Sequence, residues 1–240
     1  MAPAFENDRP ATAGEVVRSL VFYIVFYVGT LGLVLATIVS LAFSPAISRK
    51  VARAWSLYHR LCCRVLLGIR VVREGPMPGG AVLYALRHES FFEAIDLPGE
   101  QGPPVVFAKQ ELLRIPLWGI AGRRYGLIGV DRSAGARALR NMVTTARERV
   151  SEGRPLAIFP EGTRVPHGKS PPLQSGFAGI YKLLKMPVVP VAVDSGRLYH
   201  RRWKRSGVIR YRYGALIPPG LERTDIEARV HAAINALNHD

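Results

Sequence analysis

The feature that most constrains this chain is an uncharged run near its N-terminus, residues 20–43. At about 1.5 Å per residue a helix of that length reaches about 36 Å, enough to cross a hydrocarbon core of about 30 Å once, with tilt. Such a segment meets a membrane. The apolar stretch is too long, and begins too far into the chain, for a cleaved signal peptide, so a retained anchor is expected. Gly29, Thr30 and Gly32 lie in its middle. They leave two shapes open: a single crossing, or a short hairpin that enters and leaves one leaflet. Arg49, Lys50, Arg53, Arg60 and Arg64 follow the run, whereas Arg9 and Arg18 precede it. The positive-inside bias therefore predicts an inner-membrane protein whose C-terminal bulk faces the cytoplasm.

The 240 residues carry 33 Lys+Arg against 18 Asp+Glu, a formal net charge of +15, with 48% hydrophobic residues. That apolar content excludes intrinsic disorder, a collagen-like repeat and a disulfide-stapled mini-protein. The positive surplus calls for an anionic partner: nucleic acid, a membrane surface, or acidic and phosphorylated substrates. Cys62 and Cys63 are the two cysteines. Adjacent cysteines rarely reach disulfide geometry and no zinc-type spacing is present, so reduced thiols and no structural metal are expected. Residues 48–67 read as a second helix, with Val51, Trp55, Tyr58, Cys62 and Val65 in one apolar sector and Arg53, Arg60 and Arg64 opposite. Two placements fit this pattern: at the membrane interface among anionic headgroups, or packed on the soluble domain with a solvated basic face.

From residue 69 the period changes. Short β-rich runs occur at 69–73, 81–85, 105–108, 127–130, 156–159, 188–193 and 208–213, many bounded by Gly or Pro. Helical stretches fall between them at 136–152, after Ser133 as a cap, and at 177–185. Thr224-Asp-Ile-Glu227 reads as a capping box opening a last helix. The alternation predicts an α/β sandwich in one domain, with a tail at 1–19, a membrane segment and basic helix at 20–67, and the chemistry at 68–240.

The informative residues follow strands. His88-Glu-Ser-Phe-Phe-Glu93 comes directly after the apolar run at 81–85, which places an imidazole and a carboxylate at a strand end; Asp96 is a competing partner for the histidine. Phe159-Pro-Glu-Gly-Thr-Arg164 combines a rigid Pro, a permissive Gly, a hydroxyl and a guanidinium. It reads either as an anion cradle or as a charged turn in which Glu161 and Arg164 pair with each other. His200-Arg-Arg-Trp-Lys-Arg205 is a dense basic cluster, suited to the phosphates of coenzyme A, an acidic carrier protein or lipid headgroups, or else a solvated loop.

Taken in order, four segments resemble the glycerophospholipid acyltransferase family, in its branch acting on 1-acyl-sn-glycerol-3-phosphate. They are the His-x4-acid motif from His88 to Glu93, Gly126-Leu-Ile-Gly-Val-Asp-Arg132, the Phe159 to Arg164 segment, and Val188-Val-Pro-Val-Ala192. Ala108-Lys-Gln-Glu-Leu112 with Ile115-Pro-Leu117 is similar to the family's linking segment. The resemblance implies an α/β fold with a mixed sheet flanked by helices, glycerol-3-phosphate acyltransferase-like, carrying an N-terminal membrane-associated helical segment. It implies transfer of a fatty acyl group from an acyl thioester, acyl-CoA or acyl carrier protein, to the free hydroxyl of a lysophospholipid acceptor, giving phosphatidic acid. No cofactor and no acyl-enzyme are implied. His88 becomes the general base and Glu93 its partner, while Arg132 and Arg164 hold the acceptor's phosphate, Glu161, Gly162 and Thr163 shape its pocket, and Lys109 is a further cation. The family more often has Asp where Glu93 stands, and the added methylene shifts the carboxylate by about 1.5 Å unless the backbone compensates. Arg87 and Asp194 beside the motifs read as local variation. Another lyso-lipid, such as lyso-ornithine lipid, is the alternative acceptor. A membrane-tethered basic binding protein for anionic lipid or nucleic acid would leave the pairing of His88 with Glu93 unexplained, and no nucleic-acid partner is expected.

Overall fold

In the computed structural model of the protein, residues 9–40, 43–130 and 135–238 are described, the side chains of 135–139 excepted. Residues 20–40 of the N-terminal apolar run belong to one continuous helix, α1 (Ala13–Ser40), long and apolar enough to cross a membrane. It starts seven residues before the run. Thr12 and Glu15 form a reciprocal cap, Glu15 N–H on Thr12 Oγ1 at 3.3 Å and Thr12 N–H on Glu15 Oε2 at 2.9 Å. There is no break at Gly29, Thr30 or Gly32. A Cβ at Gly29 would sit 2.3 Å from the Tyr58 hydroxyl, so this glycine admits a neighbouring ring. Thr30 Oγ1 accepts the Trp55 indole N–H at 3.0 Å.

Residues of α1 one turn apart share a face, and Ser19, Phe22 and Phe26 are buried on the body of the protein. Val17, Val21, Ile24, Val28, Leu31 and Leu35 face outward. The second helix, α2 (Pro45–Cys62), begins with Pro at its first turn and runs on through a π turn, Cys63–Leu67, ended by left-handed Gly68. Its buried residues are Ser48, Ser56, His59 and Cys62, whereas Val65 and also Ile47, Leu57 and Leu61 are exposed. The buried face is therefore rotated away from the apolar sector, and partnered polar groups make this tolerable. Ser48 Oγ meets Ser40 Oγ at 2.8 Å, Ser56 Oγ donates to Asp96 O at 2.9 Å, and His59 Nε2 lies 2.8 Å from the Tyr199 hydroxyl. Arg60, assigned to the outer basic face, instead donates inward to Asp96 and Glu100.

Burial, with Lys204 and Arg60 nearby, holds the His59 pKa down at about 3. The unfolded chain binds this proton near pH 6.5 and the folded chain only near 3, so His59 costs no stability above pH 6.5 and progressively more as pH falls toward 3. The loss deepens steadily toward the acid end of that range. His59→Gln is expected to flatten that slope in thermal melts between pH 6.5 and 4.5; an unchanged slope would assign the acid sensitivity to another group.

The remainder is a seven-stranded sheet between helical layers. In chain order the strands are β1 (Ile69–Glu74), β2 (Leu83–Leu86), β3 (Val105–Lys109), β4 (Ile128–Val130), β5 (Leu156–Ile158), β6 (Val188–Val193) and β7 (Gly207–Tyr213). Their spatial order is β1-β7-β6-β2-β5-β3-β4, and every neighbouring pair is parallel except β6 with β7, so the sheet is mixed. All seven expected strands form, with ends moved by up to two residues. The helices are α3 (Phe92–Glu100), α4 (Trp118–Tyr125), α5 (Gly135–Ser151), α6 (Ser175–Leu184), α7 (Gly196–Tyr199) and α8 (Arg223–Ile234). Alternation along β2 divides two cores: Tyr84 and Leu86 pack with Phe22, Phe26 and Phe92 on one face, and Leu83 and Ala85 with Phe177, Ile180 and Ile226 on the other. Two expected caps are corrected or out of view. The last helix begins one residue before Thr224, with Glu222 at the N-cap position and no side-chain cap, and Ser133 lies outside the described residues.

Candidate active site

Parallel order decides which residues meet. Strands β6, β2 and β5 are neighbours, so the segments after their C-terminal ends converge in the crevice where open α/β sheets bind ligands. His88 follows β2, Pro160 to Arg164 follow β5, and Asp194 and Ser195 follow β6.

His88 Nδ1 lies 2.9 Å from Glu93 Oε1. Glu93 stands in the first turn of α3 and reaches back over the loop, so its Oε1 also accepts the N–H groups of Glu89 and Ser90, each at 2.7 Å. The longer glutamate thus spans the gap without displacing the histidine. Asp96, the rival partner, is buried against Arg60. Burial alone would raise the Glu93 pKa, but hydrogen bonds from His88, Ser195 and Ser90 prevail and hold it below the ordinary glutamate value. With Nδ1 engaged, Nε2 is the ring nitrogen left to act, and the ring stacks on Phe159 with centroids 4.1 Å apart.

The Phe159 to Arg164 segment turns on a Gly162 N–H bond to Phe159 O at 2.9 Å, with Pro160 in the second turn position and Gly162 at φ 65°. Glu161 does not pair with Arg164 among the described contacts. It is buried, its Oε1 accepts from Arg87 Nη1, and its Oε2 accepts the His88 backbone N–H at 2.9 Å. Its position is therefore behind the site, gripping the backbone of the histidine. Burial pushes its pKa up to about 7 against the pull of Arg87. Arg164 is exposed and stacks on Phe91, its Cζ 4.1 Å from the ring centroid.

A cavity of about 1430 Å³ joins these residues, lined by His88, Lys109, Gly162, Thr163 and Arg164 and, at greater distance along the chain, by Tyr27, Leu33 and Trp55 from α1 and α2. Glu93 and Glu161 stand behind it. Arg132 lies outside the described residues. Among the described residues no group of three or more His, Cys, Asp or Glu side chains is placed to hold a metal ion.

Three contributors escaped the sequence reading. Arg87 is fully buried and donates to Glu161, to Asn235 Oδ1 at 2.7 Å and to Lys169 O at 2.5 Å. Asp194 is also fully buried; its carboxylate accepts the Arg210 N–H at 2.7 Å and Arg210 Nε at 2.8 Å, fixing β7 against β6. Both are buried structural groups in this chain. Ser195 is the third, with its hydroxyl 2.6 Å from Glu93 Oε2. A charged residue next to a run of buried strand residues was the available signal for Arg87 and Asp194, whereas nothing local marked Ser195. The basic cluster after His200 is likewise no free loop. Lys204 is buried, its Nζ bonded to Tyr199 O at 2.9 Å and its N–H to Ser19 Oγ at 2.8 Å, and the Tyr23 hydroxyl donates to Arg202 O at 2.6 Å.

A family model described as Acyltransferase matches residues 68–194. The chain is 28% identical over 225 residues to the 1-acyl-sn-glycerol-3-phosphate acyltransferase of Pseudomonas aeruginosa, covering 91% of this chain and 82% of that one. It is 30% identical over 144 residues to the protein of the same name from Helicobacter pylori, covering 59% of this chain and 60% of that one. The crystal structure of the 1-acyl-sn-glycerophosphate acyltransferase PlsC from Thermotoga maritima shares the fold, with a TM-score of 0.71 at 23% identity over 94% of this chain and 95% of that one.

Proposed function

The chain belongs to the acyltransferase family, and from that premise we propose that it transfers a fatty acyl group from an acyl thioester to the free hydroxyl of 1-acyl-sn-glycerol-3-phosphate, giving phosphatidic acid. The observation that carries this reading is a buried carboxylate with five polar contacts, holding one nitrogen of a histidine whose ring lines a large cavity. The names of the relatives supply the acceptor.

In this mechanism the hydroxyl oxygen attacks the thioester carbonyl while His88 Nε2 takes the hydroxyl proton. Glu93 keeps Nδ1 protonated and stabilises the imidazolium that forms. The tetrahedral adduct then expels the thiolate, which takes the same proton from His88, leaving an ester and a free thiol. No acyl-enzyme intervenes. The donor is acyl-CoA or acyl carrier protein. The acceptor's phosphate is held by Arg164, with Thr163, Gly162 and Lys109 on the same cavity wall, and by Arg132.

The protein works at the inner membrane with its catalytic domain toward the cytoplasm, where the basic residues that follow the apolar helix meet anionic headgroups. Keeping Ser19, Phe22 and Phe26 on the body of the protein favours α1 lying along the membrane face, since a helix crossing alone would expose them to lipid. Tyr27 and Leu33 of α1 also line the cavity, so a lipid tail entering beside that helix passes directly to the site.

Arg164→Ala tests the acceptor. The expected result is a KM for lysophosphatidic acid raised about tenfold or more, with kcat nearly unchanged and no change in KM for an uncharged lyso-lipid of equal chain length. An unchanged KM for the phosphorylated acceptor would place the phosphate elsewhere.

A further inference from the structure

We infer that Ser195 is a positioning residue of the catalytic pair, delivering the proton that fixes the second carboxylate oxygen of Glu93 and so setting the basicity of His88. The inference rests on the acyl-transfer reading only for its kinetic consequence.

Glu93 divides its two oxygens between different kinds of donor. Oε1 receives His88 Nδ1 and two backbone N–H groups. Oε2 faces only hydroxyls among the described contacts, Ser195 Oγ at 2.6 Å and Ser90 Oγ at 3.1 Å, and the two hydroxyls lie 2.7 Å from each other. Three contacts compete for two protons, because each hydroxyl carries one. If Ser195 turned its proton to Ser90, its oxygen would face Oε2 at 2.6 Å with no hydrogen between them. If both hydroxyls donated to Oε2, the 2.7 Å contact between the serines would hold no hydrogen. In the remaining arrangement Ser195 donates to Glu93, Ser90 donates to Ser195, and the Phe92 N–H donates to Ser90 at 3.0 Å, so every short contact carries a proton. Backbone donors thus orient the whole relay toward the carboxylate.

Ser90, Ser195 and Glu93 are all fully buried, so no solvent replaces a missing donor. Topology makes the brace possible: Ser195 leaves β6 and His88 leaves β2, strands joined in parallel register from Leu83 with Val188 to Leu86 with Val191. Without the Ser195 hydroxyl the second oxygen holds more uncompensated negative charge. It then pulls harder on the imidazole proton and favours the imidazolium, so the state with ionised Glu93 and neutral His88 is lost at a higher pH than before. Glu161, His200, Tyr199 and Tyr211 also interact electrostatically with Glu93, and each is retained when Ser195 alone is replaced.

The test is the titration of the His88 ring by NMR in the full chain in micelles, for the natural protein and Ser195→Ala, beside pH profiles of kcat/KM. The midpoint of His88 is expected to rise by about 1 pH unit in the variant. The acid limb of kcat/KM is expected to move with it by the same amount, so that the activity loss is confined to the acid side of the profile and disappears on its alkaline plateau. Ser195→Cys, close in shape but a weak donor, is expected to shift the midpoint the same way and carries the test if the alanine variant does not fold. An unmoved midpoint, or a loss equal at every pH, would make Ser195 a packing residue and overturn the inference. Absence of acyl transfer by the natural protein would instead remove the proposed function, while the titration still decides the brace.

Discussion

Replacing His88 with alanine is expected to lower acyl-transfer turnover by at least about 10²-fold while leaving the fold intact, as judged by melting temperature and retention in membranes. The size of the effect follows from the ring's position as the one imidazole held by the buried carboxylate of Glu93 and lining the cavity. The rival acid Asp96 is bound to Arg60 and Glu161 is turned toward Arg87, so neither replaces it. Stability should be spared, because the imidazole lies at the cavity wall and its main packing partner is Phe159. Glu93 also keeps two backbone N–H donors and the Ser195 hydroxyl when the ring is gone, so no buried charge is orphaned. Turnover within about threefold of the natural protein would remove His88 from the chemistry.

Arg87→Met is expected to have the largest effect on stability, about 3–5 kcal/mol in denaturant melts. The arginine is fully buried, and its guanidinium satisfies Glu161, Asn235, and the carbonyls of Pro166 and Lys169. Truncation leaves the Glu161 carboxylate buried with the His88 N–H as its remaining described partner, and leaves α8 without its link to the catalytic loop through Asn235. Removing both charges should cost less than removing one. Arg87→Met with Glu161→Gln is therefore expected to recover a substantial part of the loss, and a double variant no better than the single would show that the pairing is not what matters. Activity should fall further than stability requires, since Glu161 also holds the backbone of His88.

The parts of this fold that were legible in the sequence are those whose cause is local. The run Val188 to Val193 is buried at every position and reads as an interior strand, as does Leu83 to Leu86. The five-residue step from His88 to Glu93 works because a loop and the first turn of a helix close it on themselves, a contact within one short segment. What stayed hidden depends on partners distant in sequence. Besides Glu93, helix α3 contains Pro98 and two further buried acids, Asp96 and Glu100, whose partners Arg60 and Arg73 lie in α2 and β1. The polar inner face of α2 is stable only because Tyr199 and the Asp96 carbonyl are there to meet His59 and Ser56. Gly29 resembled a hinge, yet it is a seat for Tyr58, and only the packing of two helices distinguishes the two. Ser195 meets Glu93 across 102 positions of sequence, a separation that no local pattern records.

The measurement that bears most directly on the central claim is formation of phosphatidic acid by the purified full chain in detergent, from lysophosphatidic acid with acyl-CoA and, separately, with acyl carrier protein as donor, followed by mass spectrometry. The expected result is conversion with at least one donor, lost when His88 is alanine. Transfer to lyso-ornithine lipid in place of lysophosphatidic acid would contradict the proposed acceptor, and equal conversion by the alanine variant would contradict the proposed base.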